Sequence, residues 1–440
     1  MHLAAFAVAG PVSGHHGGWR YPSADRNFLS AEYYRNLGRV LEAGKFDLVF
    51  LADIMAIPNR FENSLDSQLR YGALGALRLD PMVVLSLMAA TTKHLGLAAT
   101  VSTSYFEPFA VARSFATLDH LSGGRAAWNI VTSFQKAEAN NFGLVEQLTH
   151  DQRYDRADEF MNVVCKLWDS WKDDALVLDP KTPLFADPDR VKPINHHGQW
   201  FNVQGPLNVS RTPQARPVFI QAGASDRGRD FAARWAEIIF VTHASMESAQ
   251  KFYQDIKSRA QQAGRNPDDI KILPGFVPVV GETKEIAAKK RELLDSLADP
   301  KAGLSTLSYH LDIDLSEFPQ DRILPTLDVP GVHGHYKEVA ELTQRRKLTL
   351  AQVGKQYGIG PLRQFSGDGK EVADRMQEWF EAGACDGFMV QDSTVPGGFE
   401  DFTRLVVPEL QSRGLFRRHY DGTTLRHHLG LKRPAEMAGG

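Results

Sequence analysis

Ala126-Ala127-Trp128-Asn129-Ile130-Val131 is apolar on both faces, ends in β-branched residues and is too short for a helix. A strand of that kind needs cover on two sides, as in a parallel sheet with helices outside and a second apolar layer within. Upstream, residues 108–121 carry apolar side chains at helical spacing behind Pro108, and Ser122-Gly123-Gly124 closes that helix. Downstream, 154–171 is helical again. Working outward, further strands are expected at 3–9, 46–51, 95–103, 218–222, 238–242, 270–280 and 387–391. Helices are expected near 31–43, 81–94, 226–236, 246–264, 284–297 and 371–382. Such alternation is the signature of βαβ units. An open doubly wound sheet would alternate in the same way. The count of eight strands and the lack of a Gly-x-Gly-x-x-Gly turn after the first favour a closed (β/α)8 TIM barrel, an α/β fold.

The 440 residues suit one barrel domain, 1–440, with insertions at about 173–214 and 299–360 where the rhythm breaks. Residues 197–203 alternate like a small hairpin, and a basic helix ends near Leu348. Insertions of this size belong at the C-terminal mouth of the barrel, as lids or binding loops. A net charge of −3 offers no long-range attraction for nucleic acid or an anionic membrane. No run reaches the roughly 18 apolar residues a membrane helix needs, and the first residues read as a strand rather than an export signal, so the expected location is cytoplasmic. Cys165 and Cys385 are too few for a disulfide framework. No Walker A loop, His-Glu-x-x-His or Cys-x-x-Cys occurs, and adjacent histidine pairs rarely chelate one ion, so no metal is expected.

Gly223-Ala224-Ser225-Asp226-Arg227-Gly228-Arg229 follows a buried strand and opens a helix with Ser225 as N-cap. Its first-turn N–H groups, aided by Arg227 or Arg229, suit a phosphate; an ordinary capped helix whose arginines pair with acids fits equally. Asp53 ends the second strand, at the barrel mouth or as a turn cap. Thr100 and Ser102 on the third strand and Asn129 on the fourth project to the same rim and could bond a polar ring. His150 and Tyr154, spaced i,i+4, share one helical face and either grip a ligand or pack on a loop while Asp151 caps the helix.

Phe46-Asp47-Leu48-Val49-Phe50-Leu51-Ala52-Asp53, Ala99-Thr100-Val101-Ser102-Thr103-Ser104-Tyr105-Phe106-Glu107-Pro108 and Ser122–Thr132 together resemble the bacterial-luciferase-like flavin monooxygenases, in the group of nitrilotriacetate and dibenzothiophene sulfone monooxygenases. The likeness continues through His150–Tyr154, Pro206-Leu207-Asn208-Val209, Gln221–Ser225, Ala384–Phe388 and Thr424-Leu425-Arg426, so it spans the chain. It implies a two-component system in which an NAD(P)H:FMN reductase supplies reduced FMN (FMNH2) to this oxygenase. It also implies a homodimer or homotetramer, and flavin contacts at Asp53, Thr100, His150, Tyr154, Ala224 and Ser225, to which Ser102 and Asn129 are added from their strand positions. Phe6, Met55, Phe106 and Trp128 are expected to wall a dry substrate pocket. In the loop His15-His16-Gly17-Gly18-Trp19-Arg20, His16 is the candidate catalytic acid–base, with simple packing an equal alternative. Those aromatic walls favour a small, partly apolar sulfur or nitrogen heterocycle over a polyacid. The rival readings are a deazaflavin-dependent dehydrogenase on the same barrel and a non-catalytic flavin-binding protein. One departure is Ser366-Gly367-Asp368-Gly369-Lys370, which lacks the proline common in that turn among such proteins.

Overall fold

The computed structural model describes residues 1–11, 14–73, 75–223, 225–243, 245–324, 340, 343, 346–360 and 363–436. Eight parallel strands close a barrel: β1 (His2–Val8), β2 (Leu48–Ala52), β3 (Gly96–Ser102), β4 (Ala126–Val131), then β9 (Val218–Gln221), β10 (Ile238–Val241), β11 (Lys271–Gly281) and β13 (Gly387–Gln391). The β13–β1 pairing, with Phe6 opposite Gln391, completes the ring. All eight fall where alternation places them, within a residue or two. Their outer partners are α1 (Ala31–Ala43), α3 (Pro81–Ala89), α4 (Pro108–Ser122), α6 (His150–Asp169), α7 (Asp226–Trp235), α8 (Met246–Gln262), α9 (Lys284–Leu297) and α12 (Gly369–Glu381). Among the described residues no helix is long and apolar enough to cross a membrane.

Alternation along each strand sorts the side chains. Ala4, Leu48, Phe50, Ala98, Ala127 and Met389 fill the bore, while Leu3, Val49, Leu97, Ala99 and Trp128 meet the outer helices. Phe6 lies with the bore residues, its ring edge-on to Phe50 at 5.1 Å and 5.2 Å from Phe240, and these three rings floor the mouth.

Trp128 corrects the expectation that it lines the pocket. Its side chain is fully buried on the outward face, ringed by Phe115, Phe160, Phe219 and Trp168 at centroid separations of 5.5 to 6.5 Å. Its indole N–H donates to the Val101 carbonyl at 3.0 Å. The strand turns Asn129 inward and so must turn Trp128 outward.

The first insertion forms two hairpins, β5 (Leu176–Asp179) with β6 (Leu184–Ala186) and β7 (His196–His197) with β8 (Asn202–Val203), the latter where alternation predicts it. The second contributes α10 (Pro300–Leu311) and α11 (Leu350–Ile359), while most of the expected basic helix before Leu348 lies outside the described residues. These two helices meet along glycines: a Cβ on Gly303 would overlap the Gly354 carbonyl. Leu304, Leu307, Leu311, Leu350 and Val353 give them a small core of their own with Phe61. Gln68 of α2 (Asp66–Tyr71) donates to Ser305 at 2.8 Å and ties the pair to the β2–α3 connection, on the mouth side of the barrel.

A ninth strand, β12 (Arg363–Asp368), pairs with the far half of β11 and is absent from the alternation because its glycines and serine read as a turn. Where the expected proline is missing, Asp368 caps α12 in a capping box with Glu371, and the helix starts directly from the strand.

Candidate active site

Two polar groups meet at the C-terminal ends of the strands. The first gathers around the start of α7, after the fifth barrel strand. Ser225 is the N-cap, its Oγ accepting the Gly228 N–H at 3.1 Å. Nε2 of His150 lies 3.2 Å from the same Oγ. The Tyr154 ring is 5.1 Å from the His150 ring, and the Tyr154 hydroxyl bonds Ser225 and Thr132. Burial raises that phenol above its ordinary range, so it stays neutral. A Cβ on Gly228 would stand 2.8 Å from the Tyr154 hydroxyl and 3.0 Å from Ser225 Oγ, so glycine keeps this concavity open. A cap, first-turn N–H groups and convergent hydroxyl and imidazole donors fit a phosphate.

The helix carrying two of these groups starts at His150 because Thr149 and Gln152 form a capping box. Asp151 is therefore not the cap; it holds His150 Nδ1 at 2.8 Å. Arg227 and Arg229, in the first turn of α7, pair with acids. Arg227 pairs with Asp158 at 2.6 Å and Asp155 at 3.2 Å, its guanidinium 5.4 Å from the Tyr154 ring centre, and Arg229 pairs with Asp255 at 3.0 Å. A phosphate there would rest on the Ser225, Tyr154 and His150 side chains, the first-turn N–H groups and the helix dipole. Ala224 lies outside the described residues.

The second group lies at the tips of β2, β3 and β4. Thr100 Oγ1 donates to the Leu51 carbonyl at 3.0 Å and accepts Asn129 Nδ2 at 3.0 Å. Asn129 Oδ1 is left buried without a partner, an acceptor that calls for a donor such as a ring N–H. Ser102 is not available in the same way. It is fully buried and its Oγ takes Ser133 Oγ at 2.9 Å and Ser104 N at 3.1 Å, bracing the turn above β3 and β4. Tyr154 reaches Thr132 at the end of β4, which links the two groups.

Asp53, Met55, Thr100 and Phe106 line one cavity of about 920 Å³, walled by Ile54, Ile57, Leu77, Arg78, Leu79, Met82, Val101, Phe142 and others. It opens at the β2 and β3 tips and runs outward between α3 and α4; the Ser225 cluster is not in its lining. Burial raises the Asp53 carboxyl to about 6 against the opposing pull of Arg78. Behind it sits Glu138, raised to about 7 first by burial and then by Asp53. Glu138 shows no sequence signal, since Lys136-Ala137-Glu138 reads as an exposed helical turn.

His16 is enclosed instead of facing the cavity. His15 and His16 are both buried, the His16 N–H donates to Gly358 of α11 at 3.0 Å, and burial lowers the two imidazoles to about 3 and about 4. They pack the 14–20 loop beneath the insertion helices. Among the described residues no three His, Cys, Asp or Glu side chains converge as a metal site.

Residues 8–385 match the profile of the luciferase-like monooxygenases. The chain belongs to that family. It is 48% identical over 440 residues to the dibenzothiophene-sulfone monooxygenase of Rhodococcus erythropolis (strain XP), covering 99% of this chain and 97% of that protein. It is 42% identical over 435 residues to nitrilotriacetate monooxygenase component A of Aminobacter aminovorans, covering 96% and 95%. The crystal structure of DmoA from Hyphomicrobium sulfonivorans superposes with a TM-score of 0.91 at 35% identity, covering 98% of this chain and 92% of that one. This luciferase-like monooxygenase is an enzyme that uses reduced flavin, and its TIM barrel is the family's.

Proposed function

We propose that the chain is the oxygenase component of a two-component system, taking FMNH2 from a separate NAD(P)H:FMN reductase and oxygenating a small, partly apolar organic molecule. The observation that supports FMN is the cradle at Ser225, His150 and Tyr154, a cluster of donors at a helix N-terminus that Gly228 keeps uncrowded. Asn129 Oδ1 and the Asp53 carboxyl, at the tips of β4 and β2 on either side of β3, would hold the ring. When bound, reduced flavin supplies the two electrons that activate dioxygen. The residues of this chain bind and orient it, and they exclude water. The cavity walls at Met55, Phe106 and Phe142 supply the apolar surroundings; Phe6, expected in the pocket, packs in the bore on Phe50 and is not in the cavity lining. A neutral heterocycle carrying sulfur or nitrogen suits that lining, with cytoplasmic supply of NAD(P)H and a homodimer or homotetramer as the working state.

The test is oxygen consumption with a generic NADH:FMN reductase and FMN, followed by mass spectrometry of a substrate panel. A gain of one oxygen atom in a substrate, dependent on this chain, supports the reading. Stimulation by a deazaflavin without oxygen uptake would replace it with the dehydrogenase reading.

Water exclusion depends on the insertion helices. Gly303→Ala drives a methyl group into the Gly354 carbonyl and must part α10 from α11. The expected result is several-fold more hydrogen peroxide released per NADH oxidised, with binding of FMNH2 retained. Unchanged coupling would mean that these helices do not shield the site.

A further inference from the structure

The short helix α5 (Lys136–Asn141) brackets one residue of the cavity wall from both sides. Glu138 Oε1 accepts the Met55 N–H at 2.9 Å, and Asn141 Nδ2 donates to the Met55 carbonyl at 2.8 Å. Asn141 and Phe142 then continue into the cavity lining beside Asp53 and Met55. Glu138 is 4% exposed, and among the described residues it forms no ion pair. Two residues before its backbone partner stands Asp53, so two carboxyl groups lie on either side of the Met55 segment.

The surroundings disfavour ionising both. From the connection before α3, Arg78 is the guanidinium beside Asp53; it donates to the Ala52 carbonyl at 2.7 Å, and Asp80 faces Asp53 from the same stretch. From the turn after β3 comes Tyr105, with Arg153 of α6 beyond it. From the turn after β4 comes the Ser133 hydroxyl, which bonds Glu138. From α10 comes Tyr309, fully enclosed and facing Glu138, Arg78, Tyr105 and Asp53 together. Glu138 is buried and Asp53 half-buried, with Arg78 beside Asp53 and the Asp53 charge acting on Glu138, so this neighbourhood favours keeping a proton on one of the two carboxyls. Both groups shift in that direction, each first through burial.

We propose that Glu138 is a positioning residue of the flavin site, latching the Met55 segment next to Asp53, so that flavin binding at Asp53 is linked to protonation of these two carboxyls. The proposal rests on the flavin reading above. A ring seated over Asp53 removes remaining solvent from the pair and favours its protonated form, so affinity is full at low pH and falls as pH rises through the pair's titration.

The test compares wild type with Glu138→Gln, which keeps an acceptor for Met55 N–H and removes the titrating group. Affinity for photoreduced FMN is measured anaerobically by tryptophan fluorescence from pH 5.5 to 8.5. Titrations of FMN itself are common to both proteins and cancel in the comparison. The expected wild-type excess is a fall in affinity of about tenfold across the range, equivalent to one proton shifted by one pKa unit, with Glu138→Gln flat or shifted to lower pH. Superimposable profiles would overturn the proposal. Should Glu138→Gln fold poorly, calorimetry of FMN binding to wild type and to Asp53→Asn in two buffers of different ionisation enthalpy counts the protons taken up. Equal uptake by these two proteins would overturn it as well. A wild type that fails to bind reduced FMN at any pH would instead remove the flavin reading and this proposal with it, whereas binding without proton linkage removes the proposal alone.

Discussion

Ser225→Asp is expected to bind FMNH2 on the order of 100-fold more weakly than wild type while folding normally, and to lose all preference for FMN over riboflavin. Aspartate is as good an N-cap as serine, so the first turn of α7 remains capped. Its carboxylate would occupy the place of Ser225 Oγ, now 3.2 Å from His150 Nε2, and meet the phosphate as a like charge. His150→Ala and Tyr154→Phe each remove one donor and are expected to weaken binding by roughly 10- to 100-fold, since a hydrogen bond to a charged group contributes about 1.5–3 kcal/mol. Because His150, Tyr154 and Ser225 touch one another, the double variants will lose less than the sum. Anaerobic titration with photoreduced FMN, followed by tryptophan fluorescence, measures the constants. Riboflavin lacks only the phosphate, so the FMN-to-riboflavin ratio separates loss of the cradle from general damage. A ratio in Ser225→Asp equal to that of wild type would place the phosphate elsewhere. Paired as they are with Asp158, Asp155 and Asp255, Arg227 and Arg229 should change this ratio little when replaced by glutamine.

The barrel was legible because its signal is repeated: eight apolar strands, each with an amphipathic helix, leave few alternatives. The site was legible where strand geometry alone determines it. Thr100 and Asn129 point inward by alternation, and they meet at 3.0 Å. The same rule, applied to the residue before Asn129, already excludes Trp128 from the bore, and the pocket expectation for it overlooked this. What alternation cannot supply is the use to which a polar group is put. Ser102 shares the inward face, yet its hydroxyl is consumed by Ser133 and Ser104 in a turn whose shape is not written in local sequence. Arg227 lies in a phosphate-like motif, but its carboxylate partners come from α6, some seventy residues away in the chain. Glu138 and Arg78 stayed invisible for a similar reason. Their burial is produced by long-range packing of loops and insertion helices over the mouth, and isolated charged residues in loops carry no period to betray it.

Replacing Trp128 tests which layer of the barrel this residue belongs to. Trp128→Ala is expected to destabilise the protein by about 3–5 kcal/mol, the usual range for removing a large buried aromatic side chain. It empties a fully enclosed site between β4 and the outer helices and takes the indole N–H from the Val101 carbonyl. Trp128→Phe keeps contact with Phe115 and Phe160 and should cost less than half as much, because much of the ring volume remains and only one hydrogen bond is lost. Urea unfolding followed by circular dichroism reads the shift in midpoint. Below that transition, the FMNH2 dissociation constant of Trp128→Phe should stay within about twofold of wild type, a difference under 0.5 kcal/mol. A wall of the substrate pocket would respond the other way, with modest loss of stability and a large change in substrate KM. Phe106→Ala supplies that contrast, since Phe106 lines the cavity and packs only on Phe142 among aromatic neighbours other than itself in the described residues. If Trp128→Phe raised KM while Phe106→Ala did not, the inward and outward faces assigned to these strands would have to be exchanged.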